Sequence, residues 1–272
     1  MFGSTVLEVA VGLTFCYATV ALIVSTVQEA LASALRMRAR TLLDGIKSML
    51  NDPHFTSLAR AMYEHALVNP HDDYHATDPR SLKGKPSYIE PGNFAVALVD
   101  TIHSIPGDWA QLGGDIDALR DPQVRRVLQG IYQRANGNLD AFRLAVEGWF
   151  DSAMERISGA YKRRAMMISL LLSLLLAVVF NIDSIHLFRA LWQHPALAAQ
   201  LSATPAVMNV GAVDALWRLP IGWESFPPRF DSQFALSVGG WFLTASTALF
   251  GAPFWFDLMK KTVQVRETGA KP

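Results

Sequence analysis

Cysteine is almost absent from this chain. Cys16 stands alone among 272 residues, so no disulfide can form within it, and nothing about redox compartment follows. Charge imbalance is missing too. The 24 Lys and Arg balance 24 Asp and Glu, which removes the electrostatic footprint of a nucleic-acid partner. No glycine-rich loop is built to cradle phosphate, since Gly113 and Gly114 form an isolated pair. A nucleophile elbow, a Cys/His zinc spacing and a basic–aromatic RNA motif are likewise absent from the sequence. No internal repeat or low-complexity run interrupts it. Together these gaps leave no sequence ground for an enzyme, and no cofactor is expected.

Apolar residues, by contrast, are abundant. They make up 51% of the chain, and mean hydropathy is +0.20, high for a soluble protein with this many charges. They gather in three blocks, at residues 5–27, 165–182 and 236–257. Each approaches or exceeds the ~17 residues needed to cross a hydrocarbon core. A cleaved signal peptide is a poor account of the first block, because no Lys or Arg precedes it and Glu8 stands at its start. Basic clusters then set the expected orientation. Arg36, Arg38 and Arg40 follow block one; Lys162, Arg163 and Arg164 precede block two; Lys260, Lys261 and Arg266 follow block three. All three fall on one side when the N-terminus is outside and the C-terminus cytoplasmic. The expected fold is therefore an all-α integral protein of a bacterial inner membrane with three transmembrane helices. The first two helices extend into a cytoplasmic helical domain over residues 28–164. A periplasmic loop occupies 183–235, and a cytoplasmic tail 258–272.

Small residues recur every fourth position in two of the blocks. Ala165, Ser169, Ser173 and Ala177 form one stripe; Gly240, Thr244, Ala248 and Ala252 form the other. Residues four apart share a helix face, and small faces let helix backbones approach closely in lipid. These stripes are expected to pack together, with a kink near Gly251 caused by Pro253. Phe254, Trp255 and Phe256 are expected at the inner interface.

In the cytoplasmic domain, block one is expected to continue unbroken along a stripe of Leu31, Leu35, Leu42, Ile46 and Leu50. Asp52-Pro53 and Asp121-Pro122 each read as an N-cap with a first-turn proline. The first should open a helix carrying Phe55, Leu58 and Met62, the second one carrying Val124, Leu128 and Ile131. Asn136-Gly137 should end the latter. A short helix carries Phe94, Leu98 and Ile102. From Leu139 no proline intervenes, so one helix should run into block two with Phe142, Val146, Trp149 or Phe150, and Ala153 on one side. In the outer loop, Ile182, Ile185, Phe188 and Leu191 or Trp192 suggest a helix lying at the membrane surface.

Several stretches also carry a resemblance. QEALASALRMRARTLLDGI, PSYIEPGNFAVALVD, WFDSAMERISGAYKRR, LPIGW, and GAPFWFDLMKK with the final GAKP resemble a widespread group of uncharacterised bacterial inner-membrane proteins. The resemblance covers most of the chain. It implies the same three-helix layout and brings no catalytic or binding residues with it.

Among candidate sites, His71, Asp72, Asp73 and His75 offer imidazole and carboxylate donors, with His54 and His65 upstream. No helix fixes their spacing, and exposed loop residues are the simpler reading. Glu147, Asp151 and Glu155 read as a solvated helix face. Glu8, Glu29, Asp183 and Asp257 read as interfacial groups, in salt bridges or snorkelling. The leading expectation is a non-enzymatic scaffold or anchor, held by membrane lipid. It would assemble as a homo-oligomer or with a second protein through Trp149 and Phe150. An oligomeric channel and a membrane-tethered metalloenzyme using the His71–His75 loop stand as alternatives.

Overall fold

The computed structural model describes residues 2–70, 82, 84–193, 221–223 and 231–268, and every described element is helical. In chain order they are α1 (Phe2–Ala34), α2 (Met37–Met49), α3 (Leu58–Glu64), α4 (Pro91–Ile102) and α5 (Trp109–Asp117). There follow α6 (Pro122–Ala135), α7 (Leu139–Val179), α8 (Ser184–Gln193), α9 (Ser232–Ala248) and α10 (Gly251–Thr268). The chain divides into two compact units. One comprises Ala32–Arg163; the other is discontinuous, comprising Met1–Leu31 and Arg164–Pro272.

The continuous unit has an apolar core with charge outside. Phe55, Met62, Tyr63, Phe94, Leu98, Leu112, Leu128, Phe142, Val146 and Phe150 are all at most 1% exposed. Phe94 of α4 stacks on Phe150 of α7 at 4.2 Å between ring centroids. Asp121 caps α6 as expected, accepting from the Val124 amide at 2.7 Å with Pro122 in the first turn. Asn136 (φ 45°) and Gly137 (φ 86°) close that helix in the left-handed region. The 41 residues of α7 run without a break, because no proline or capping residue interrupts them.

Three expectations for this unit need correction. Block one does not continue to Leu50. Arg36 adopts φ 49° and separates α1 from α2, leaving Leu31 and Leu35 exposed while Leu42, Ile46 and Leu50 enter the core. Pro53 does not open a helix either; α3 begins only at Leu58. Asp52 still acts as an anchor, accepting from the amides of Thr56, Ser57 and Ala59 at 2.9–3.2 Å. Finally, α5 was not foreseen, because Gly113 and Gly114 lower helix propensity in its centre. Tertiary contact supplies the reason for Gly113. Tyr132 stacks on Trp109 at 4.3 Å and donates to its carbonyl, and a methyl group at Gly113 would lie 2.8 Å from the Tyr132 hydroxyl.

A carboxylate clasp joins α4 to α5. Asp115 accepts from the Ser104 amide at 2.8 Å, from Gln111 Nε2 at 2.9 Å and from the Ser104 hydroxyl, and His103 Nδ1 lies 3.3 Å away. The Ser104 amide first, then Gln111, hold the Asp115 carboxyl down from 3.8 to about 2. Because the folded state favours the ionised form, this contribution is complete above the ordinary carboxylate value. It disappears as pH falls from there toward about 2. Thermal melts of D115N and the parent chain should therefore differ at neutral pH and converge in strong acid. A constant difference across the acid range would contradict the assignment.

The discontinuous unit has the opposite surface. Its exposed side chains include Ile23, Met166, Met167, Leu171, Leu175, Phe180, Phe242, Leu243, Phe250 and Phe254. Its buried set includes Thr14, Thr19, Ser173, Asp183, Ser184 and Thr244. One helix, α1 over Val9–Ala34, is long and apolar enough to cross a membrane. The count rises to three if each bent pair forms one span: α7 with α8, bent by 53°, and α9 with α10, bent by 92°. Block three is thus broken rather than straight, and the bend at block two falls at its end, between Val179 and Ser184. The second break falls where Pro253 predicts it, with Gly251 at φ 76°. The helix expected after block two is α8, but it buries Ser184, Leu187 and Leu191 while Phe188 and Trp192 stay exposed.

Candidate functional site

The densest chemistry in the discontinuous unit lies where α7 breaks. Asn181 takes φ 46°, and three side chains hold the turn. Asn181 Nδ2 donates to the Gly222 carbonyl at 2.8 Å, Trp241 Nε1 donates to Asn181 Oδ1 at 3.0 Å, and Trp223 Nε1 donates to the Val179 carbonyl at 3.2 Å. The Val179 carbonyl, left free at the end of α7, is thereby paired.

Beside the turn runs a chain of hydroxyls. Tyr17 of α1 donates to Ser184 Oγ at 3.0 Å, and Ser184 lies 2.7 Å from Thr244 Oγ1 of α9. Thr244 reaches the Ile182 carbonyl at 2.7 Å and its own helix's Gly240 carbonyl at 3.0 Å. A carbonyl cannot donate, so the proton order is determined: Tyr17 to Ser184, Ser184 to Thr244, Thr244 to a backbone oxygen. Ser173 of α7 adds a further link, donating to the Ala245 carbonyl at 3.1 Å. Such bonds contribute roughly 0.6–2 kcal/mol each between helices in lipid. Because the chain ends on a carbonyl, it has no means of passing a proton onward. Its chemistry is adhesive.

Asp183 lies against this chain and is 6% exposed. The interfacial salt bridge or snorkelling expected of it is replaced by a helix cap: Oδ1 accepts from the amides of Ile185 and His186 at 2.8 and 3.2 Å. Gly240 makes room for it. A methyl group at Gly240 would collide with the Asp183 carboxylate.

The two small-residue stripes face inward. Ser173 and Ala177 are fully buried, and Ala165 and Ser169 are half-buried. Gly240, Thr244, Ala248 and Ala252 are all buried. Gly240 and Thr244 touch residues 182–184, and α9 packs along α8. Gln28 of α1 contacts the start of the other stripe, bonding to Ser169 and to the Ala165 carbonyl. Tyr17 also packs on Trp255, whose Nε1 donates to the Thr247 carbonyl and braces the second break.

Trp149 and Phe150, paired in the sequence reading as an assembly face, separate in the structure. Phe150 is 1% exposed inside the core and has no surface to offer. Trp149 is half-buried and lines a hollow of about 370 Å³ with Met49, Val127 and Ile157. Asp151 and Glu155 are exposed, as a solvated face requires. The His71–His75 loop lies outside the described residues, as does the side chain of Glu8. Among the described residues no three His, Cys, Asp or Glu side chains group closely enough to hold a metal ion.

Sequence reasoning missed the Tyr17–Ser184–Thr244 chain because its members are 167 and 60 residues apart. Asp183-Ser184 ahead of an apolar helix was a legible capping signal. Comparison with protein-family models, with curated proteins and with solved structures found no match to this chain.

Proposed function

We propose that this chain is a non-enzymatic membrane anchor and scaffold subunit of a bacterial inner membrane. The discontinuous unit is embedded in lipid, and the unit at 32–163 is presented on the cytoplasmic side for assembly. The inversion of the two surfaces carries the reading. One unit hides six hydroxyl or carboxyl side chains beside its apolar cluster and exposes many large apolar side chains; the other hides a core that is almost wholly apolar and exposes charge. Water rewards only the second arrangement and lipid only the first. The basic clusters at 36–40, 162–164 and 260–261 support the inward placement of the helical unit. Assembly centres on Trp149, an aromatic anchor beside a hollow of mixed lining in which Met49, Val127 and Ile157 meet Ser48, Gln123 and Arg156.

Native mass spectrometry after mild extraction should give one discrete species heavier than a single 30.0 kDa chain. Trp149→Ala should weaken it by roughly 30-fold or more, the loss expected at an interface hot spot. A monomer at every concentration, with no second protein bound, would exclude a scaffold. An oligomeric channel stands as the second reading. Ion flux through liposomes carrying the purified protein separates the two.

A further inference from the structure

The unit at 32–163 carries an open groove of about 730 Å³ whose two ends differ in charge. Its floor is apolar, with Leu42, Ile89 and Phe150 buried beneath it. Lys162 stands at one end, with Ser158 and Tyr161 on the same helix; Arg38, exposed like Lys162, and Tyr88, 72% exposed, also line the groove. Asp151 and Glu155 line the other end. Lys162 lies three residues before Ala165, where the apolar run of α7 begins, a rise of about 4.5 Å along the helix. Glu155 is about 10 Å farther back along the same helix and Asp151 about 16 Å. The basic end is therefore the end next to the apolar run. Arg36, Arg40 and Arg163, also exposed, extend the positive charge around it, and no carboxylate occurs in 32–43 or 156–164.

We infer that this groove binds the headgroup of an anionic phospholipid, with its phosphodiester on Arg38 and Lys162. The inference rests on the membrane reading given above. Depth along α7 places Lys162 where a bilayer presents its phosphates, once Ala165 marks the edge of the hydrocarbon, and Arg38 of α2 lines the same groove. The hydroxyls of Ser158 and Tyr161 supply donors suited to phosphate oxygens, and the exposed Tyr88 ring is amphipathic in the manner of interfacial aromatics. The acidic end repels a second anion and aligns the headgroup with its charge toward the apolar run.

The full-length protein, purified in neutral detergent, is titrated with phosphatidylglycerol, phosphatidylcholine or inorganic phosphate and the bound lipid counted by native mass spectrometry. Phosphatidylglycerol should be retained in preference to phosphatidylcholine, and inorganic phosphate should not displace it. The double variant R38A/K162A should lose roughly 30-fold in retention, two basic side chains having been removed from an anionic contact. R126A, an exposed arginine outside the groove, should retain the parent affinity, and R38K/K162R should restore most of it. Equal retention of the two lipids overturns the inference, as does equal loss in R126A. Displacement by inorganic phosphate reassigns the groove to a free anion and overturns it as well. Alkaline carbonate extraction of source membranes keeps the two readings apart. Release of the chain into the supernatant defeats the membrane reading itself, whereas retention in the pellet with no lipid preference defeats only the groove.

Discussion

Gly240→Ala should destabilise the discontinuous unit by about 2–4 kcal/mol, while Gly239→Ala, one position away, should be nearly silent. The difference lies in what each new methyl group meets. At Gly239 the nearest neighbour is Ile185 Cδ1 at 3.9 Å, an ordinary contact. At Gly240 the methyl collides with the Asp183 carboxylate, which is simultaneously capping α8. Either α9 withdraws, breaking the Thr244 bonds to Ser184 and Ile182, or Asp183 rotates and releases the cap. Overpacking of this kind costs about 1–3 kcal/mol and loss of a cap about 1 kcal/mol more. Helix content and resistance to denaturant in mild detergent report the loss. Equal behaviour of the two variants would remove the close approach of α9 and residue 183 from the account. An Asp183→Asn change alongside Gly240→Ala should not rescue, because the obstruction is steric rather than ionic.

Phe150→Ala is expected to unfold the helical unit partially at moderate temperature, with a cost of about 3–5 kcal/mol. Its ring is sealed in the core and stacked on Phe94, so truncation forfeits both the buried area and the aromatic contact. Trp149→Ala, its sequence neighbour, should leave the melting temperature within a few degrees and change the assembled size instead. This pair separates core from surface on adjacent residues. Thermal melts and native mass spectra of the same two preparations decide it. If Trp149→Ala melts as early as Phe150→Ala, Trp149 belongs to the core and the proposed assembly face has no anchor.

Much of this architecture was legible in local signals. Asp121-Pro122 and Asn136-Gly137 bracket α6 because capping chemistry depends on a few neighbouring residues. The long α7 was readable because nothing in residues 139–179 interrupts a helix. What failed depends on partners distant in the chain. The break at Arg36 carries no proline or glycine, so periodicity ran straight through it. The turn at Asn181 is held by Trp223 and Trp241, which lie 44 and 60 residues from their partners in it. Phe150 and Trp149 were inseparable because a helical stripe has a width, and only the position of Phe94 says which ring enters the core. The candidate site was visible by halves: the stripes as spacing, the hydroxyl chain not at all.

The order of donors from Tyr17 to Thr244 also has a temporal side. Tyr17 is synthesised 167 residues before the hydroxyl that accepts its proton. At roughly 5–20 residues per second, that is about 8–33 seconds of waiting on a ribosome. Thr14, Thr19, Ser25 and Thr26 of α1 need no such delay, since each bonds back to a carbonyl four residues earlier. On the proposed membrane reading, the first helix enters lipid with Tyr17 and Gln28 both still awaiting their partners. During that interval the whole of residues 32–163 emerges and has time to fold. The second half of the membrane unit then arrives to find its first strut already in place.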